Sequence, residues 1–156
     1  MRIKKFAKII TLSLVFVLTL SICSCTAFKS VIRDTPRIAQ FTKEALEISK
    51  ITDTEEMIAR AEELIHPASG LTKESIVEKI KADEDLEGID LEKAASDGYS
   101  MGSFSDPKLK FNDPELGGNV YEITVDVTIG GQVFKVTLDL LSDESTIGLY
   151  DFDIKK

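Results

Sequence analysis

Thiols and imidazoles are nearly absent from this 156-residue chain, which has two cysteines, Cys23 and Cys25, and one histidine, His66. Two cysteines one residue apart cannot cross-link distant parts of a fold. A histidine metal cluster or a Ser-His-Asp arrangement would rest on His66 alone. A lone histidine before a proline at a helix end more often meets the terminal carbonyls. Glycine-rich phosphate loops are missing too, since Gly117-Gly118 and Gly130-Gly131 border strand-like runs with no helix after them and read as turns. There is no Gly/Ser or Pro-rich linker, no low-complexity tract and no internal repeat. Basic residues are scarce, 19 against 27 acidic.

Four of those 19 basic residues, Arg2, Lys4, Lys5 and Lys8, stand at the start, ahead of an apolar run from Ile9 to Ile22 interrupted only by Thr11, Ser13, Thr19 and Ser21. The run suits a signal-peptide core and falls short of the ~20 apolar residues of a membrane-spanning helix, so cleavage is expected. With Leu20-Ser21-Ile22-Cys23-Ser24-Cys25-Thr26 at its end, the segment resembles bacterial lipoprotein precursors. In that family an aliphatic residue stands three places before the modified cysteine and a small residue directly before it. Ile22-Cys23-Ser24-Cys25 fits, with Cys23 an unusual middle residue. Leu20-Ser21-Ile22-Cys23 fits less well, because bulky Ile22 would adjoin the scissile bond. The resemblance implies a diacylglyceryl group on Cys25 (Cys23 being the alternative), residues 1–24 removed as signal, and an exported protein held at the bacterial cell membrane or outer membrane. Two acyl chains anchor stably where one is marginal, at about 0.8 kcal/mol per buried methylene. Loss of Cys23 with the signal and acylation of Cys25 leave no free thiol for a metal site or nucleophile.

Removing those 4 basic residues, with no acidic ones beside them, leaves 15 basic against 27 acidic, a net charge of −12. Nucleic-acid binding needs a basic footprint over phosphates and is disfavoured. Adhesion of the domain surface to anionic headgroups is disfavoured likewise, which leaves membrane attachment to the lipid. The acidity reads as a solvated surface.

Roughly 130 residues then remain, enough for one domain with one core. Residues 25–35 read as a tether and 36–156 as a single α+β domain, with Pro36 suited to a first helical turn. Ile38, Phe41, Ala45 and Ile48 form one stripe over Arg37 to about Lys50. A second helix starts at Asp53 as cap with Glu56 in a box-like arrangement, and its apolar face uses Met57 or Ile58, Ala61, Leu64 and Ile65 up to Pro67. A third starts at Thr72, with Leu71 and Ile76 as a staple and Ile76, Val77 and Ile80 facing inward. It fades at Asp83-Glu84-Asp85, and Leu86 to Ala95 is expected to add a short helical turn.

The second half reads as strands over Tyr99 to Phe104, Lys108 to Phe111, Asn119 to Ile129 and Gln132 to Leu141, with Gly130-Gly131 as a two-residue hairpin turn. Pairing across that turn opposes Val127 to Phe134, Val125 to Val136, Ile123 to Leu138 and Tyr121 to Leu140 on an apolar face. The other face opposes Asp126 to Lys135, Thr124 to Thr137 and, unfavourably, Glu122 to Asp139. A last strand carries Tyr150, Phe152 and Ile154 on one side and Leu149, Asp151 and Asp153 on the other, with Gly148 at a bend or bulge.

Helices followed by an antiparallel meander with one apolar face imply an α+β layer fold, helices packed on a curved sheet. On Ala61-Glu62-Glu63-Leu64-Ile65-His66-Pro67, the capped helix after Thr72 and the long strands from Val120, the chain resembles small exported domains of the nuclear-transport-factor-two-like superfamily. That resemblance implies a cone of helices against a strongly curved sheet. A cystatin-like helix wrapped by a meander is the alternative.

Some relatives with the cone-shaped fold are isomerases or dehydratases with an inward Asp or His and a Tyr for proton transfer. The apolar strand face here carries neither an Asp nor a His. Asp126, Asp139, Asp151 and Asp153 are expected to face out, where little shifts a carboxyl pKa. Tyr99, Tyr121, Tyr150 and His66 are the candidate pocket residues, although strand tyrosines are more often core. Asp83-Glu84-Asp85-Leu86-Glu87-Gly88 echoes a calcium loop, but Asp90 and Ala94 stand where an apolar residue and a bidentate Glu belong, so no metal is expected. Asp106-Pro107 and Asp113-Pro114 read as turn starts amid Asn112 and Glu115. The expected function is a non-enzymatic binding or protein-interaction module without a cofactor, whose partner is an envelope protein or a small ligand. The alternatives are a small-ligand carrier or enzyme with a cone-shaped pocket, and an envelope structural or inhibitor protein.

Overall fold

Helix comes first and sheet second. The computed structural model describes residues 32–90 and 99–156. The lipid-site cysteines and the second half of the expected helical turn at Leu86 to Ala95 lie outside the described residues. The chain divides into two compact units, Met1–Pro36 and Arg37–Lys156. Of the first, residues 32–36 are helical, with Arg33 Nε donating to the buried Asp34 at 2.8 Å. The remainder concerns the second unit.

Among the described residues helix α1 covers 32–48, so it is under way ahead of Pro36 and ends two residues short of Lys50. Its stripe of Ile38, Phe41 and Ile48 is buried as the three-and-four spacing demands. Helix α2, Thr54–Glu62, is capped by Asp53, whose carboxylate accepts from Glu56 N at 2.8 Å. Its expected face is corrected: Ala61 is exposed, and Leu64 and Ile65 lie beyond the helix end. Pro67 opens a single 3-10 turn, Pro67–Ser69. Helix α3, Lys73–Lys81, carries the expected cap at Thr72, with Ser75 returning the bond as a capping box. Ile76 and Ile80 are half-buried one turn apart, whereas Val77 is 41% exposed and does not face inward. Asp83-Glu84-Asp85 turns into a 3-10 segment, Glu84–Leu86, that buries Leu86.

The five strands are β1 Tyr99–Phe104, β2 Lys108–Asp113, β3 Gly118–Ile129, β4 Gln132–Ser142 and β5 Ile147–Lys155. All pairings among them are antiparallel. The order is β1-β3-β4-β5, and β2 continues along the same side of β3 as β1. The register across Gly130-Gly131 is the expected one, Val127 opposite Phe134 through Tyr121 opposite Leu140. Both glycines have positive φ, 57° and 80°, as a type I′ turn requires. Ile38 and Phe41 of α1 pack with Tyr121, Ile123 and Leu140 as the core, joined by Leu64, Phe104, Leu138, Ile147 and Leu149. Near the start of β3 the opposite face is buried as well, at Val120 and Leu141.

One face assignment is corrected. Asp139 pairs with Asp151 but Leu140 pairs with Leu149, so Tyr150 is the extra residue of a β-bulge. Leu149 therefore joins Phe152 and Ile154 on the side of Leu138 and Leu140, and Tyr150 drops out of that row. Further irregularities fall between Met101 and Phe104 and between Leu109 and Phe111. Bulges bend strands and increase their local twist.

Candidate functional site

His66 sits where α2 has ended and the chain runs briefly alongside β5. Its N–H donates to Leu149 O at 2.9 Å, and Leu149 N returns a 2.7 Å bond to Leu64 O, which makes a short parallel pairing on the edge of β5. Close approach is possible because position 148 is glycine: a Cβ on Gly148 would lie 2.7 Å from His66 N. The imidazole is 3% exposed. Its Nδ1 accepts from Ala68 N at 3.1 Å and caps the Pro67–Ser69 turn. Its Nε2 lies 3.3 Å from Asp143 Oδ2, out of line for a hydrogen bond, so the contact is electrostatic.

Asp143 organises the β4–β5 connection. Its Oδ1 accepts from Thr146 N at 2.7 Å, Ser145 N at 2.8 Å and Ser145 Oγ at 2.9 Å, an arrangement that short Asp side chains favour in turns. Burial pushes the Asp143 carboxyl pKa up, but the bonds from Thr146 and Ser145 together with the charge on His66 outweigh it and hold the carboxyl below its ordinary value. Arg37 of α1 closes the node, donating to Asp143 O at 2.6 Å and to Ser142 Oγ and Glu144 O at 3.3 Å. With Nδ1 given to Ala68 and Nε2 facing a carboxylate, neither imidazole nitrogen is left to activate a nucleophile.

A second charged constellation lies on the polar face. Glu122, Asp139 and Asp151 stand opposite one another across β3, β4 and β5, extending the repulsion expected between the first two. Lys110, the extra residue of the β2 bulge, reaches Asp139 Oδ2 at 2.6 Å, and Lys79 of α3 reaches Asp151 Oδ1 at 2.6 Å. The bond to Asp139 raises the Lys110 pKa; burial opposes this, and the charges of Asp139, Glu122 and Asp151 assist. At Asp151 burial pulls upward, yet the bonds from Lys79 and Phe152 N and the lysine charges win and the pKa is lowered. The expected outward placement is thus corrected for Asp139, whose side chain is 15% exposed, and the expectation of an unshifted carboxyl is corrected for Asp151, which is exposed as expected. Asp126 and Asp153 are exposed as expected.

The four candidate pocket residues are dispersed. Tyr121 is buried in the core beside Asn119 Nδ2 at 3.5 Å. Tyr99, 40% exposed, donates to Ser49 O at 3.3 Å, and burial raises its pKa. Tyr150 occupies the β5 bulge. None of the tyrosines lines the following surface clefts of the described residues. One of about 370 Å³ lies between α1 and the β4–β5 connection, with Arg37, Gln40, Glu44 and Thr146 in its wall. Another of about 370 Å³ holds Lys79, Lys110, Asp139 and Asp151. A third of about 320 Å³ is bordered by His66 and Pro67 with Glu62 and Lys73. Among the described residues no group of three or more His, Cys, Asp or Glu side chains is arranged to hold a metal ion. The node of Arg37, His66 and Asp143 escaped the sequence, because its members are separated along the chain and none belongs to a spaced motif.

The free side of β1 and β2 is the remaining feature. Among the described residues these strands pair only with β3, and β2 leaves Leu109 48% and Phe111 43% exposed between Lys108, Lys110 and Asp113. Comparison with protein-family models, curated proteins and solved structures finds no match for this chain.

Proposed function

We propose that the chain is an exported, lipid-anchored module that binds an envelope protein through the open β1–β2 edge of its sheet. The observation that carries this is the pair Leu109 and Phe111, two large apolar side chains exposed on a strand whose outer backbone is unpaired among the described residues. Such an edge can accept an extended segment of a partner by main-chain hydrogen bonds, with alternate side chains supplying selectivity. Lys108 and Lys110 on the same strand discourage indiscriminate edge pairing. The packing of Ile38 and Phe41 directly on Tyr121, Ile123 and Leu140 favours this reading over a cone-shaped ligand cavity. The cone-shaped architecture of the nuclear-transport-factor-two-like domains is proposed with it, supported by α1 packed on a bulged, antiparallel sheet. Anchoring is assigned to the lipid on Cys25; no described helix is long and apolar enough to cross a membrane.

The test is recovery of partners from native membranes with the intact protein and with Leu109→Glu and Phe111→Glu variants of unchanged thermal stability. A protein retained by the parent chain and lost from both variants supports the edge. A co-purifying small molecule with no protein partner would favour the carrier reading instead. Mass spectrometry of the mature N-terminus checks the anchor: a diacylated Cys25 is expected, and an unmodified Thr26 start or a retained Met1 segment contradicts it.

A further inference from the structure

The His66 imidazole is buried, and its two nitrogens face opposite demands. Nδ1 is an acceptor, because the atom opposite it at 3.1 Å is the Ala68 amide nitrogen, which can only donate. A neutral ring therefore keeps its proton on Nε2, the nitrogen 3.3 Å from Asp143 Oδ2. A second proton can go only to Nδ1, where it points at the Ala68 N–H, so the cap on the Pro67–Ser69 turn is lost. The same proton gives the ring a full positive charge next to Asp143, whose Oδ1 is already saturated by Ser145 and Thr146 and whose Oδ2 is left for the imidazole.

We propose that His66 is a pH-operated selector: neutral, it holds the 67–69 turn; protonated, it releases that turn and tightens on the β4–β5 connection. The charged groups around it fit this division. Asp143 faces the ring from the β4–β5 connection, with Arg37 of α1 bound to its carbonyl. Glu62 of α2 and Lys73 and Glu74 of α3 border the same cleft as His66. What moves is the connection between α2 and α3. Gly70, with φ 68°, ends that turn in a left-handed conformation. The Leu64 and His66 bonds to Leu149 use backbone atoms alone and hold the chain to β5 in both states.

The experiment is an amide and imidazole NMR titration of the full chain across the pH range in which histidine changes charge. The Ala68 amide shift is expected to follow the ring's own titration, and its exchange, corrected for intrinsic rate, to accelerate by roughly fivefold or more, the scale of losing an N-cap bond. The Ser145 and Thr146 amides are expected to stay protected through the same step. In His66→Asn, which keeps a capping acceptor but has no titrating ring, the Ala68 step should vanish. The selector is overturned if Ala68 is unchanged while the ring titrates, if Ser145 and Thr146 loosen together with Ala68, or if the Asn variant keeps the step.

Discussion

Gly148 carries the backbone of His66 directly against it: a methyl group at position 148 would sit 2.7 Å from His66 N and 2.8 Å from its Cα. These are backbone atoms, already held by the His66 and Leu149 hydrogen bonds, so they cannot step aside as a flexible side chain does. Gly148→Ala is therefore expected to force the 64–66 segment off β5 and lower stability by about 1–3 kcal/mol, as overpacking does. Urea unfolding checks it, through a lower midpoint at unchanged slope. Faster exchange of the His66 amide would locate the damage.

Acid dependence should separate two carboxylates. The folded-state pKa values of Asp143 and Asp151 are both lowered, so each contributes stability that is complete above the ordinary carboxylate pKa, about 3.9. That contribution is lost as the pH falls from there through the lowered folded values. Asp143→Asn and Asp151→Asn are each expected to flatten this acid limb. Salt should tell them apart. The Lys79–Asp151 pair is exposed, at 42% and 53%, and screening weakens it, whereas the short bonds from Thr146 and Ser145 to Asp143 persist. The check is stability against pH at low and high ionic strength, where high salt should remove the difference made by Asp151→Asn and leave that of Asp143→Asn.

The hairpin was legible because three local signals coincided: two glycines able to take positive φ, an alternation of apolar residues on either side, and opposite charges at Asp126 and Lys135. Helix starts at Asp53 and Thr72 were legible for the same reason, since a cap is chemistry within one turn. Tyr150 was misplaced because a strict period of two reads straight through a one-residue bulge, and only the partner strand reveals the insertion. Ala61 and Val77 were misplaced because short helices covered on a narrow face bury fewer positions than their apolar count suggests. The node of Arg37, His66 and Asp143 was invisible for a different reason. Asp143 reads locally as a turn residue and is one, whereas His66 reads as a helix end meeting terminal carbonyls and instead lies beyond α2, capping the Pro67–Ser69 turn; their meeting depends on the Leu64 to His66 segment docking on β5.

The register of β4 makes the sharpest stability contrast between neighbours. Phe134 is 0% exposed opposite Val127, while Val133, one residue earlier and opposite Thr128, is 56% exposed. Because side chains alternate across a strand, a slip of one residue would exchange these environments. Phe134→Ala is therefore expected to cost about 3–5 kcal/mol, combining lost burial with the cavity left behind. Val133→Ala should stay within about 0.5 kcal/mol of the parent, as surface substitutions do. Denaturant midpoints of the two variants decide the matter, and comparable losses at both positions would contradict the pairing of Phe134 with Val127 on which the core face rests.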